Sequence, residues 1–206
     1  MRTWLVVAAE EREFSGILAR CGPVRTLPWP GAAFAREVEW KGDRWWLIAN
    51  GPGPKLVRDA LGERRDVHGI ISTGFCGALD PALAPGSIVQ TGIVSWPRVA
   101  ITALEKRSLR ELTGAAAVDM EFEQVGAIAR EWGVPVRAIR AVSDAAAEDL
   151  PLDFNRYRDK NGRFSRGRIA FAALTRPWVI PGLLHLERNC RLAADQLGEF
   201  FADSEF

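Results

Sequence analysis

The order of apolar and polar positions divides the chain into strands and helices before any motif is considered. Thr3 to Ala9 is a short, continuous apolar run of the kind that fills a strand buried on both faces, and Glu10 to Arg20 shows helical spacing at Phe14, Ile17 and Leu18. Gly22 to Gly31, rich in proline and glycine, predicts a loop. Phe34 to Trp40 and Arg44 to Asn50 then read as strands joined by a hairpin turn at Lys41-Gly42-Asp43. The second strand runs into Gly51-Pro52-Gly53-Pro54, a rigid turn that opens a helix over Lys55 to Arg65. His68 to Thr73 is a further buried strand, followed by Gly74-Phe75-Cys76-Gly77-Ala78-Leu79, where glycines let the backbone approach a ligand closely.

Ser87 to Thr91 predicts another strand. Thr102 then caps a helix with Leu104, Leu109 and Leu112 on one face and Glu105 to Arg110 on the wet one. Ala115 to Val118 is a small-residue strand, Glu121 to Trp132 a helix ended by Gly133, and Val134 to Val142 the last core strand. The polar stretch from Ala145 to Arg168 predicts a loop, mobile or acting as a lid. Beyond it Ile169 to Leu174 is helical, Pro177 breaks the pattern, and a long amphipathic helix runs through Leu183, Leu184, Leu192, Leu197 and Phe201. Strands alternating with helices, with one hairpin insertion, predict a single α/β domain over residues 1–206 around a mixed, mostly parallel central sheet.

Composition narrows the partners. A formal charge of +1 lacks the basic excess of a nucleic-acid binder and points to a small-molecule ligand. Cys21, Cys76 and Cys190 are widely spaced and outside any zinc spacing, which reads as reduced thiols in a cytoplasmic protein. The opening apolar run is too short for a signal peptide or a membrane span. Eight tryptophans against a single tyrosine suggest core or interface packing.

The candidate chemistry gathers at predicted strand ends. Glu10, Glu11 and Glu13 follow the first strand, Gly51 to Gly53 the third, Gly74 to Gly77 the fourth, and Met120-Glu121 and Ser143-Asp144 the last two. Open α/β sheets bind ligands in the crevice outside these ends. Three carboxylate positions there suit general acid–base work: one acid to protonate a leaving nitrogen, one carboxylate to bind sugar hydroxyls, one to steer or deprotonate water. Gly51, Gly53 and Gly74 offer backbone N–H groups that can cradle a phosphate, although Gly-x-Gly alone matches neither the dinucleotide fingerprint nor the P-loop pattern. Taken singly, a carboxylate such as Glu121 is more often a helix-terminus partner than a catalyst, and Asp144 alone fares no better. Arg140, flanked by apolar residues within a strand, needs an acidic or phosphate partner. No metal-binding cluster is readable.

These residues resemble the nucleoside phosphorylase and nucleosidase superfamily. The likeness runs in order through Leu5 to Ala9, Gly51-Pro52-Gly53, Ser72 to Leu79, Pro85 to Val89, Val118-Asp119-Met120-Glu121 and Arg140-Ala141-Val142-Ser143-Asp144. It implies a three-layer α/β sandwich, a homo-oligomer, and attack of water or phosphate on C1′ of a purine nucleoside, with no cofactor beyond phosphate as a co-substrate. By resemblance Asp144 is the acid that protonates N7, positioned by Ser143. Met120 and Glu121 bind ribose, Arg140 borders the water or phosphate site, and Glu13 orients water, with Glu11 and Glu10 as alternatives. Phe75, Cys76 and Gly77 line the ligand. The stretches Phe164 to Arg168 and Arg176 to Leu184 look most like the hopanoid-associated phosphorylases, which remove adenine from an adenosyl-linked triterpenoid. That likeness admits a lipid-linked substrate and, at most, peripheral membrane contact.

One departure stands out. A long family segment between the strand at Ser87 to Thr91 and the loop at Ser95 to Ala100 is replaced by Gly92-Ile93-Val94. The pocket is then expected to be open on one side or completed by a neighbouring subunit. Phe75 also fills a turn position often small or polar in relatives, which would crowd an anion site. A shortened relative that binds a nucleoside or a partner protein without turnover is the alternative reading.

Overall fold

The computed structural model describes residues 1–206. Strand β1 (Thr3–Ala8) leads through a 3-10 turn at Glu11–Phe14 into a single helical turn, α1 (Ser15–Leu18). Strands β2 (Val24–Thr26), β3 (Phe34–Trp40) and β4 (Asp43–Ala49) form an antiparallel run, and α2 (Pro54–Leu61) follows the glycine turn. Next come β5 (Gly69–Ala78), β6 (Ile88–Val89), β7 (Ile93–Ser95), α3 (Ala103–Thr113), β8 (Ala117–Asp119), α4 (Phe122–Trp132) and β9 (Val136–Asp144). The chain ends in α5 (Arg166–Thr175) and α6 (Ile180–Asp203).

All nine strands join one mixed sheet, in the order β2-β3-β4-β1-β5-β8-β7, with β9 pairing β5 and β6. Strand β5 is the spine. Its first half lies parallel to both β1 and β9, and its last residues pair with β8, so the strand ends that carry chemistry surround one stretch, Gly74 to Ala78. The fold is therefore the expected mixed, mostly parallel sheet with helices on both faces.

The pleat sorts the apolar run of β1 between two cores, as a strand buried on both faces requires. Trp4, Val6 and Ala8 point to the side covered by α1 and α6, where Phe14, Ile17, Ala193, Leu197 and Phe201 pack. Leu5 and Val7 point to the side covered by α2 and α4, with Val57, Leu61, Val125, Ile128 and Trp132. The tryptophan excess is spent partly here, since Trp45 stacks edge-on to Phe201 and Phe206 and lies 5.9 Å from Trp40, ring centre to ring centre. Helices α1 and α6 cross with backbone touching backbone. A Cβ on Gly16 would sit 1.9 Å from the Ala194 carbonyl oxygen, and one on Gly198 would sit 2.3 Å from that of Gly16.

Several expectations need correction. The loop at Gly22 to Gly31 contains β2, an exposed edge strand whose order comes from pairing with β3 rather than from burial. The Gly74–Gly77 stretch is a continuation of β5 and not a turn after it; β8 and β9 supply its partners, and a bulge at Cys76/Gly77 absorbs the irregularity. The short Gly92–Val94 connection itself contributes β7, which extends the sheet beside β8. Helix α5 begins three residues earlier than expected, with the Ser165 hydroxyl capping it.

The face of α3 is the largest misreading. Leu104 and Leu112 are exposed, whereas Lys106, placed on the wet face, is fully buried beside Leu109. The reason lies across the contact, where a carboxylate waits for it.

Candidate functional site

Asp144 is the last residue of β9 and is buried. Its Oδ1 lies 2.7 Å from the Ser143 hydroxyl, which also lies 3.2 Å from the Cys76 carbonyl oxygen. Its Oδ2 takes an ion pair from Lys106 Nζ at 2.6 Å. Lys106 is 0% exposed and gives its remaining donors to the carbonyls of Ala145 at 2.8 Å and Glu148 at 2.9 Å, so all three ammonium protons are matched. Gly77 leaves room for this carboxylate: a Cβ there would stand 3.1 Å from Asp144 Oδ2.

Glu13 reaches the same strand from the opposite direction. Of the three glutamates after β1 it alone is buried, because the 3-10 turn aims it back at β5; Glu11 is exposed and Glu10 pairs with Arg12 at 2.7 Å. The Phe75 N–H donates to Glu13 Oε1 and the Glu10 N–H to Oε2, each at 2.8 Å. Gly74, at φ +128°, brings its backbone so close that a Cβ would lie 2.7 Å from Glu13 Oε1. Burial pushes the Glu13 carboxyl above its ordinary range, against the pull of those two N–H donors. The Phe75 ring lies under the Arg12 guanidinium and packs on the main core, so it contributes its backbone to this corner.

Glu121 stands at the N-terminus of α4 and receives the Gly53 N–H on Oε1 at 2.7 Å. The turn that sequence spacing assigned to phosphate thus donates to a carboxylate. Gly51 lies against Arg163, whose Nε donates to the Asn50 carbonyl at 2.9 Å. Met120 borders the turn, with the Arg158 guanidinium 3.3 Å from its sulfur. Burial first, and then the Asp119 charge, raise the Glu121 carboxyl to about 8.

Arg140 finds the acidic partner its setting demanded. Its Nη2 bonds Asp119 Oδ2 at 2.5 Å and the Ser72 hydroxyl at 2.8 Å, entirely within the protein. Burial alone would lower this guanidinium, but Asp119, Glu121 and Glu13 outweigh it and hold it charged. Asp119 is further satisfied by the Ser95 hydroxyl and the Phe122 N–H. Cys76 is buried amid these groups, and burial raises its thiol.

The structure therefore gathers Glu13, Glu121, Asp144, Ser143, Met120, Gly53, Gly74 and Gly77 around the end of β5. Sequence reading missed Lys106, Asp119 as the partner of Arg140, and Arg158. The one local signal for Lys106 was its three-residue spacing from Leu109, which shares a helix face. No group of three or more His, Cys, Asp or Glu side chains is placed to hold a metal ion.

A pH effect follows from the raised carboxyl of Glu121. A group whose pKa rises on folding binds its proton more tightly in the folded state, so its stabilisation is complete below the ordinary value of 4.5 and is lost as pH climbs through about 8. The melting temperature of the ligand-free protein is expected to fall between these values, and Glu121→Gln to flatten that fall. A melting temperature that rises over the window, or an unchanged slope in the variant, would refute this.

Comparisons with known proteins bear on the fold and on what the chain is similar to. Residues 98–174 match the model of the Phosphorylase superfamily. The 5′-methylthioadenosine/S-adenosylhomocysteine nucleosidase of Shewanella oneidensis is 32% identical over 120 residues, which are 55% of this chain and 42% of that protein. The corresponding protein of Shewanella halifaxensis is likewise 32% identical over 120 residues, 55% of this chain and 43% of the other. The chain thus spans about two-fifths of the length of the curated relatives it matches. Among solved structures, futalosine hydrolase of Helicobacter pylori superposes with a TM-score of 0.71 at 13% identity, over 97% of this chain and 95% of that one. The 5′-methylthioadenosine/S-adenosylhomocysteine nucleosidase of Neisseria meningitidis, in complex with methylthio-immucillin-A, gives 0.71 at 17%, over 99% and 100%. Likeness at such identity speaks for the fold. The chain is thus similar to the Phosphorylase superfamily over residues 98–174 and to nucleosidases over about half its length, and it shares its central sheet and flanking helices with the solved structures.

Proposed function

We propose that this protein hydrolyses the N-glycosidic bond of an adenine nucleoside. The observation that carries the reading is the placing of three carboxylates around the end of β5, Glu13 and Asp144 buried and Glu121 partly buried, each in a different hydrogen-bonding environment. Asp144, steadied by Ser143, protonates N7 of the purine as the C1′–N9 bond breaks. That proton comes from Lys106, which passes it to the Asp144 carboxylate across the 2.6 Å contact before it moves on to N7, and the neutral amine left behind keeps two N–H groups for the two carbonyls that hold it. Glu121 accepts from the ribose hydroxyls, with Met120 packed against the sugar. Glu13, its carboxyl raised by burial, orients a water and takes its proton as oxygen bonds to C1′.

Water is favoured over phosphate because the backbone donors suited to an anion are already engaged. The Gly53 N–H is given to Glu121 and the Phe75 N–H to Glu13, and a phosphate there would face both carboxylates. Phosphorolysis is the second reading, favoured by Arg158, whose Nη1 would stand 3.7 Å from a Cβ on Gly53. Similarity to the nucleosidases named above supports adenine as the leaving base; the group on C5′, including a lipid chain, and assembly into an oligomer are parts of the proposal left to direct measurement.

Adenine release from 5′-methylthioadenosine, S-adenosylhomocysteine, adenosine and an adenosyl-linked lipid is the test, run with and without phosphate. We expect release in phosphate-free buffer, unchanged when phosphate is added. Release that requires phosphate would replace hydrolysis by phosphorolysis. Adenine binding by calorimetry with no release from any substrate would leave the non-catalytic relative standing.

A further inference from the structure

Helix α5 and the start of α6 form a projecting elbow that the proposed chemistry leaves unused. Helix α5 packs chiefly against the short turns on either side of it, and Ala172 is its one buried residue. Phe171 and Leu174, three residues apart on the outward face, are 67% and 80% exposed, and Trp178 at the bend is 73% exposed. Ile180 and Leu184 continue the apolar surface along the first turns of α6. Neighbouring large apolar side chains left in water mark an interaction surface.

The charge on this elbow is one-sided. From Lys160 to Leu186 the chain has no Asp or Glu, while Lys160, Arg163, Arg166, Arg168 and Arg176 are all basic, in a protein whose net charge is only +1. Arg166 and Arg176 stand exposed at the two ends of α5. Outward Phe, Leu and Trp side chains between arginines fit the boundary of an anionic bilayer, with the apolar groups among the acyl chains and the guanidinium groups at the headgroup phosphates.

The geometry fits lying on a membrane rather than crossing it. No single helix is long and apolar enough to span, and α5 and α6 meet at a 113° bend. The second half of α6 is committed to the core through Cys190, Ala193, Ala194, Leu197 and Phe201. Gly182 anchors the elbow to the body, since a Cβ there would lie 2.8 Å from Pro151. We infer that the elbow from Arg166 to Leu184 is a docking surface for an anionic lipid bilayer, engaged by its tip while the body stays in water. This inference stands apart from the proposed reaction.

Flotation of the full-length protein with phosphatidylcholine vesicles, with and without phosphatidylglycerol, tests it at low and at high salt. Binding is expected to require phosphatidylglycerol and to weaken with salt. Replacing Arg166 and Arg176 by Gln should lower partitioning about fivefold per residue, the equivalent of about 1 kcal/mol per basic residue near an anionic surface. Leu174→Glu with Trp178→Glu should lower it by about tenfold or more while the melting temperature holds, because both side chains are exposed. Failure of the wild type to float with anionic vesicles would overturn the inference, as would undiminished flotation of the glutamate variant. A dimer that the glutamate substitutions dissociate, in a protein that ignores vesicles, would assign the surface to a second copy of the chain.

Discussion

Asp144→Asn is expected to lower kcat for base release by about 10²- to 10⁴-fold, the usual worth of a positioned general acid, because an amide cannot deliver the proton. The same substitution strands Lys106, whose ammonium is fully buried and paired with that carboxylate. Removing one partner of a buried pair typically costs about 3–5 kcal/mol, whereas replacing both by apolar or neutral groups is close to neutral. The informative comparison is therefore with Lys106→Met/Asp144→Asn. The double variant should recover most of the melting temperature lost by Asp144→Asn and none of the activity. Recovery of both would mean that the single variant failed through instability alone; full activity in either variant would remove Asp144 as the acid.

Arg140→Met is expected to cost a comparable amount of stability, about 3–5 kcal/mol, since it leaves Asp119 charged and buried and the Ser72 hydroxyl without its donor. For a chain of this size that corresponds to a fall of roughly 6–20 °C in melting temperature. Activity should fall as well, because the uncompensated Asp119 charge raises the neighbouring Glu121 carboxyl further and weakens it as an acceptor for ribose hydroxyls. Were Arg140 a direct phosphate ligand, the variant would keep its melting temperature and lose phosphate dependence instead. Thermal unfolding of the ligand-free protein separates the two roles without any assay of turnover.

Much of this arrangement was legible in the residues themselves. The apolar runs of β1, β5 and β9 announce strands buried on both faces, Asp144 announces itself by standing where β9 ends, and Glu121 by following the small-residue strand β8. Arg140 could be recognised as needing an acid, since apolar neighbours leave a guanidinium no water. What could not be read was the partner. Asp119 lies one element away and Lys106 pairs with a residue nearly forty positions downstream, so neither contact leaves a local pattern. Amphipathic spacing turned α3 the wrong way for the same reason: it counts leucines outward from the helix and cannot register a carboxylate on the far side. Edge strands β2 and β7 escaped notice because pairing orders them while burial does not. Among the three glutamates after β1, resemblance put Glu13 first but left Glu11 and Glu10 open, and the 3-10 turn buries Glu13 alone.

The glycine-to-glycine crossing of α1 and α6 carries a consequence for how the chain tolerates change. Glu13 is mounted immediately ahead of α1, and α1 is held by backbone contact with a helix from the far end of the sequence. The Glu13 corner is thus a joint between two segments far apart in the sequence. A substitution that shifts α6 by the width of one methyl group would displace Glu13, far upstream of that helix.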